Sequence, residues 1–141
     1  MDGYDRAVLL AYLQQVPTFG ACSEPELEHL LGLAEVRAVD AGTEVIREGE
    51  LGDEFFLVAQ GDVAVARHGR PLAQLGPGSF FGELALFDDA PRNATVSASG
   101  PAAFAVFTRD RFKAALDDLP ALRDSLLRGM ARRLHELDAT A

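Results

Sequence analysis

Apolar positions follow one period at the two ends of the chain and another in its middle. Near the N-terminus Leu9, Tyr12, Leu13 and Val16 recur at three- and four-residue intervals, which puts them on one face of a helix that Pro17 stops. Ser23-Glu24-Pro25-Glu26 has the form of a capping box, with Ser23 as N-cap, and predicts a second helix lined by Leu27, Leu30, Leu31 and Ala34. From about residue 35 the segments become short, rich in Val, Phe and Thr, and are cut by Gly42, Gly49, Gly52, Gly61, Gly69, Gly76, Gly78 and Gly82. The strands expected between them cover 43–47, 55–59, 63–67, 72–75, 94–98 and 103–108, with a hairpin turn at His68-Gly69-Arg70 and Pro71 at the start of a strand. After residue 108 the helical period returns. Thr108 serves as N-cap for a helix to Leu116, and Pro120 opens another along which Leu122, Leu126, Met130, Leu134 and Leu137 form an apolar stripe.

This order predicts one domain over residues 1–141, mainly β with flanking helices. Helices fill 1–34, an antiparallel, jelly-roll-like β-roll or barrel fills 35–107, and two C-terminal helices fill 108–138. A chain of 141 residues buries roughly two-thirds of its unfolded surface and needs no staple. Its one cysteine, Cys22, has no companion for a disulfide or a metal and reads as a small apolar residue in a reducing, cytoplasmic setting. No apolar run reaches the length of a membrane span, and the first residues are acidic where a signal peptide is basic. The net charge of −9 argues against nucleic-acid contact and requires any anionic ligand to be held by local groups.

Catalysis finds little support in the chain. A metal-dependent barrel enzyme needs paired histidines on a strand, whereas His29 and His135 fall on helices and His68 in a turn. No Ser or Cys has a partnering base, so neither catalytic nor metal-binding residues are expected. The acidic residues from Glu44 to Asp62 read as solvated turns. Arg123, Arg128, Arg132 and Arg133 read as the wet face of the last helix.

One stretch breaks the roll pattern: Phe81-Gly82-Glu83-Leu84-Ala85-Leu86-Phe87-Asp88-Asp89-Ala90-Pro91-Arg92-Asn93-Ala94-Thr95-Val96. Glu83 to Phe87 reads as a short helical turn whose exposed N–H groups and positive end suit a phosphate. Gly82 lets a ligand approach the backbone. Arg92, at the start of the next strand, can fork onto two phosphate oxygens, and Glu83 can accept from hydroxyls in the same pocket. One arginine matches the single charge of a cyclic phosphodiester. A nucleoside triphosphate would call for a longer glycine loop with a lysine and a metal-holding hydroxyl, none of which is present.

Phe-Gly-Glu-Leu-Ala-Leu followed by Pro-Arg-x-Ala-Thr-Val resembles the phosphate-binding cassette of the cyclic-nucleotide-binding domain family. That family comprises the domains of cAMP-dependent kinase regulatory subunits, CRP-type regulators and cyclic-nucleotide-gated channels. Glu48-Gly49-Glu50-Leu51-Gly52-Asp53, Phe55 to Val58, Gly61 to Val65 and the closing helices extend the likeness over nearly the whole chain. The resemblance implies a cassette at 81–96 whose ligand contacts come from Gly82, Glu83, Leu84, Ala85, Arg92, Asn93 and Ala94. Within it, Arg92 pairs with the cyclic phosphate, Glu83 accepts from the ribose 2′-hydroxyl, and the N–H groups of Ala85 and Asn93 complete the cradle. Val65 and Ala73 belong to the apolar wall for the base, and the C-terminal helices act as hinge and lid. The family usually carries Ala, Ser or Thr where this chain has Asn93. Asparagine can serve either purine, and the lack of a guanine-reading hydroxyl favours cAMP over cGMP.

The reading that follows is a cyclic-nucleotide sensor without enzymatic activity or cofactor, whose ligand moves the C-terminal helices. Two alternatives stand beside it: a fragment of a CRP-like transcription regulator, and an interaction module of the same fold with an empty pocket. A homodimer through the last helix, with Leu126, Met130 and Leu137 meeting a partner, is also expected from the CRP likeness.

Overall fold

The structure, a computed structural model, describes residues 5–89 and 91–140, with side chains at all of these except Leu84 and 132–140. Helix α1 (Arg6–Gln14) is capped by Asp5, whose carboxylate accepts from Ala7 N–H, and it buries Leu9 and Leu13. Pro17 does not continue it but opens a 3₁₀ turn, Pro17–Phe19. Val16, which the spacing assigns to the helix face, is therefore buried in the link just after the helix. Helix α2 (Glu24–Gly32) begins in the expected capping box: Ser23 Oγ accepts from Glu26 N–H at 3.3 Å, and Glu26 accepts from Ser23 N–H at 2.8 Å.

Eight strands follow: β1 (Glu35–Val39), β2 (Glu44–Ile46), β3 (Glu54–Gln60), β4 (Val63–Arg67), β5 (Arg70–Leu75), β6 (Phe80–Phe81), β7 (Thr95–Ala98) and β8 (Ala102–Thr108). They form two four-stranded antiparallel sheets, ordered β1-β8-β3-β6 and β2-β7-β4-β5, an open β-roll rather than a closed barrel. The two strands missing from the sequence reading are β1 and β6. The charges of Glu35 and Arg37 hide β1, which pairs along its length with β8, and β6 is only two residues long. His68 and Gly69 both have positive φ, 53° and 75°, as a two-residue turn matched to the strand twist requires. Pro71 falls within β5 at the sheet edge, where a missing N–H breaks no ladder.

The run Phe55-Phe56-Leu57-Val58 is fully buried because β3 is covered on both faces. Phe55 and Leu57 face the helices, joining Phe19, Phe107, Phe112, Leu122 and Leu126. Phe56 and Val58 face the roll interior with Val96, Phe104 and Val106. Phe81 stacks on Phe56 with centroids 4.9 Å apart, which seats the strand leading into the cassette. Cys22 is buried as an apolar residue, and burial, reinforced by Glu26, pushes its thiol up to about 11.

Helix α3 (Arg109–Asp118) is capped by Thr108, and α4 (Pro120–Thr140) follows at once. No described helix is long and apolar enough to cross a membrane. α4 packs on the Pro17–Phe19 turn. Leu122 and Leu126 are buried in this chain's own core, so Leu126 does not face outward to meet a partner as expected. Met130 is partly exposed, and the side chains of Leu134 and Leu137, like those of Arg132, Arg133 and His135, lie outside the described residues. Ser125 donates to the Glu26 carboxylate at 2.9 Å, tying α4 to α2. The crossing is so close that a Cβ on Gly129 would lie 2.3 Å from the Thr18 carbonyl oxygen.

Gly129→Ala should therefore push α4 off the turn. Overpacking costs about 1–3 kcal/mol and alanine returns up to about 1 kcal/mol of helix propensity, so urea unfolding should show a net loss of about 1–2 kcal/mol.

Candidate functional site

Between the cassette and the sheet of β4 and β5 lies a pocket of about 620 Å³. Its polar side is built by Gly82, Glu83, Ala85, Arg92 and Asn93, and Ala94 lines it as well. Val65 and Ala73, cross-strand partners on β4 and β5, form the opposite wall with Ile46, Leu72 and Leu75. Eight of the nine expected residues thus surround one cavity; the ninth, Leu84, has its side chain outside the described residues.

Arg92 is held at both backbone and side chain. Its N–H donates to Glu50 O and its carbonyl accepts from Gly49 N–H, both at 2.8 Å, clamping it to the turn before β3. Its Nη2 donates to the Glu54 carbonyl at 2.8 Å. Glu54's carboxylate is meanwhile engaged by Arg37 through bonds of 3.1 and 2.7 Å. Burial lowers the Arg92 pKa, the fields of Glu54 and Asp53 oppose that, and Arg109 adds to the lowering; the net direction is down. A guanidinium stays charged regardless, so the pocket wall carries a partly desolvated cation.

Two glycines border the guanidinium. Gly82, at φ 82°, would place a Cβ 2.7 Å from Arg92 Nη1 and 2.9 Å from the Glu54 carbonyl. Gly52 would place one 2.4 Å from Arg92 Nε. Both make room for the guanidinium, and Gly82 also lines the pocket. After Gly82 the chain forms a 3₁₀ turn, Glu83–Leu86. Ala85 N–H is not exposed as expected but donates to Gly82 O at 3.1 Å. Glu83 accepts from the Thr18 hydroxyl at 3.2 Å. Asn93 is exposed, and its carbonyl accepts from Arg67 Nε at 2.9 Å. Among the described side chains none from α4 lines the pocket, and the helix packs on the Pro17–Phe19 turn; the side chains of 132–140 lie outside the described residues.

The model of the family described as "Cyclic nucleotide-binding domain" matches residues 36–118, which include every strand after β1 and the whole cassette. The chain belongs to the cyclic nucleotide-binding domain family. Among curated relatives, the "cAMP-dependent protein kinase regulatory subunit" of Yarrowia lipolytica is 36% identical over 113 residues, 79% of this chain and 30% of that protein. The "cGMP-dependent protein kinase, isozyme 1" of Drosophila melanogaster is 34% identical over 131 residues, 87% of this chain and 17% of that one. The chain thus spans less than a third of either relative's length. Among solved structures, the N-terminal domain of a transcriptional regulator from Streptomyces coelicolor A3(2) superposes with a TM-score of 0.83 at 30% identity, covering 91% of this chain and 95% of that one.

Within this family fold the residue that sequence reasoning overlooked is Arg109, the first of α3. Its Nε donates to Ala85 O at 2.7 Å, its Nη2 to Gly52 O at 3.2 Å and Asp88 O at 3.3 Å, and its Nη1 pairs with Asp89. One side chain thereby ties the cassette, the turn before β3 and the helix after β8. The signal was available: an arginine in the first turn opposes the helix dipole and so calls for an outside partner. Arg109→Ala should leave the Ala85 and Gly52 carbonyls without this donor and lower the stability of the ligand-free protein by roughly 2–4 kcal/mol in urea. Arg109→Lys should recover less than half, since an ammonium cannot span carbonyls that diverge this far.

Proposed function

We propose that the pocket binds a cyclic nucleotide, cAMP in preference to cGMP, and that the domain is a regulatory sensor with no chemistry of its own. The observation that carries this reading is Arg92, a half-buried cation on the wall of a small cavity whose other lining is largely apolar. A phosphodiester supplies one matching charge, and a purine suits Val65, Ala73, Leu72 and Ile46. The roles proposed are phosphate pairing by Arg92, acceptance of a hydrogen bond from the ribose hydroxyl by Glu83, and hydrogen-bond donation to the phosphate by the Ala85 and Asn93 N–H groups, with Gly82, Leu84 and Ala94 shaping the seat.

Relatives named for cAMP and for cGMP both match this chain, so kinship does not choose the base. The cassette does favour one. Its single hydroxyl-bearing side chain, Thr95, accepts from Glu48 N–H at 3.0 Å and does not line the pocket, which leaves guanine without a reader there. In the output step, ligand repositions α3 and α4. α3 is joined to the cassette through Arg109. A second reading, the sensor part of a transcription regulator, is favoured by the likeness to the Streptomyces coelicolor domain; it changes the output and keeps the ligand.

Calorimetry with cAMP and cGMP on protein stripped of carried-over nucleotide tests the proposal, with tighter binding of cAMP expected. Arg92→Ala should weaken binding by about 2–5 kcal/mol, the cost of removing one partner of a buried charge pair. Arg92→Lys should weaken it as well, because lysine cannot fork. No binding of either nucleotide, or titrations unchanged in both variants, would falsify the assignment.

A further inference from the structure

Arg37 of β1 points its side chain to the roll side of the sheet, as Val39 does two residues on. Its Nη1 and Nη2 donate to the two carboxylate oxygens of Glu54 at 3.1 and 2.7 Å, and its guanidinium carbon lies 5.9 Å from the centroid of the Phe56 ring. Glu54 and Phe56 stand two residues apart on β3 and share the face that looks into the roll, where Phe81 and Val96 also line the pocket. A looser contact runs from Arg37 to Glu35 at 3.7 Å. With 35% of the Arg37 side chain and 26% of the Glu54 side chain exposed, the pair is sheltered enough for its geometry to count, and a two-bonded fork is a geometry that lysine could not supply. Sheet pairing does not call for it, because β1 is paired with β8 along its length and β8 with β3.

Glu54 matters to the site because its carbonyl holds Arg92, whose Nη2 donates to it at 2.8 Å. A glutamate side chain turns about three torsions, so its carboxylate can swing towards a guanidinium held at its own carbonyl. The two groups already feel each other: burial pushes the Arg92 pKa down, and the field of Glu54 is foremost among those opposing it. A carboxylate and a phosphodiester ask the same thing of Arg92, so a carboxylate that moves closer weakens the hold on the ligand. We propose that Arg37 is a positioning residue for the nucleotide site: by gripping the Glu54 carboxylate it keeps that group from competing with the anionic ligand for Arg92. The inference rests on the reading of the pocket as a cyclic-nucleotide site. Arg37 itself does not line the pocket, and its effect on the ligand passes through Glu54. With the Glu54 charge removed, Arg37 is therefore dispensable for binding.

Titration with cAMP of the parent, Arg37→Met, Glu54→Gln and the double variant tests this, with urea unfolding of each beside it. Methionine keeps an unbranched stem against Phe56 and removes the fork, and glutamine keeps the shape and removes the charge. Arg37→Met should bind cAMP about tenfold more weakly than the parent. Glu54→Gln should bind about two- to threefold more tightly, since the field of the carboxylate on Arg92 is gone, and the double variant should return to within about threefold of the parent. Arg37→Lys, which keeps a charge beside Glu54, should lie between the parent and the methionine variant. Urea midpoints should fall in all of these variants, because all of them lose the fork, so affinity and stability part company. A pair that only braces the sheet gives a different pattern, in which the methionine, glutamine and double variants weaken binding alike. Such equal weakening, or an Arg37→Met affinity that matches the parent, overturns the inference and leaves the pocket assignment in place. Should Arg37→Met not fold, comparing Arg37→Lys with Arg37→Lys/Glu54→Gln reads the same rescue. Failure of the parent to bind either cAMP or cGMP overturns the pocket assignment and the role of Arg37 with it.

Discussion

Arg92 crosses from the cassette to the carbonyl of Glu54, and the shape of the pocket follows from that crossing. Glu54 begins β3, whose next four residues are all fully buried, so the arginine is anchored to the least yielding strand of the roll. For the guanidinium to fit, neither Gly52 nor Gly82 can carry a side chain. The Glu54 carboxylate is itself engaged by Arg37, with two bonds, and Arg37 lies over the Phe56 ring. A cation in such a place is unfavourable until an anion arrives. The proposed phosphodiester would relieve part of that cost.

The second arginine makes the arrangement three-dimensional. Arg92 ties the end of the cassette to β3, and Arg109 ties its middle to α3. The two repel, as the lowering influence of Arg109 on Arg92 shows, and both contact the short loop containing Gly52 and Asp53. An anion bound to Arg92 would soften that repulsion as well as pairing with it, so occupancy changes the electrostatic environment of the first turn of α3 without touching it.

Much of this was legible in the sequence, for local reasons. The capping box at Ser23, the cap at Thr108, the proline starting α4 and the His68-Gly69 turn are written in residues whose preferences act over a few positions, and each occurs where expected. The glycine and arginine of the cassette were legible because backbone conformation and charge chemistry admit few substitutes. What the sequence hid depends on distant partners. β1 is a strand because β8 lies beside it. Gly129 reads as a weak point in a helix until the Thr18 carbonyl fills the space where its side chain would be. Leu126 belongs to a stripe that could face a partner, and only the fold shows it turned inward. The second constraint on Gly82 was hidden for the same reason: the guanidinium it accommodates comes from the far end of the cassette.

Magnitudes decide which ties can hold the site together when a ligand pulls on it. Cyclic-nucleotide binding at micromolar strength would release about 8 kcal/mol, and only the difference in affinity between two states can be used to move the chain. Arg109 donates to three carbonyls and pairs with Asp89, a charge-assisted network whose disruption would consume a large share of that energy. It is therefore suited to carry α3 along with the cassette as a unit. A frame must outlast the ligand's pull, and in this domain its strongest ties run from the cassette to α3.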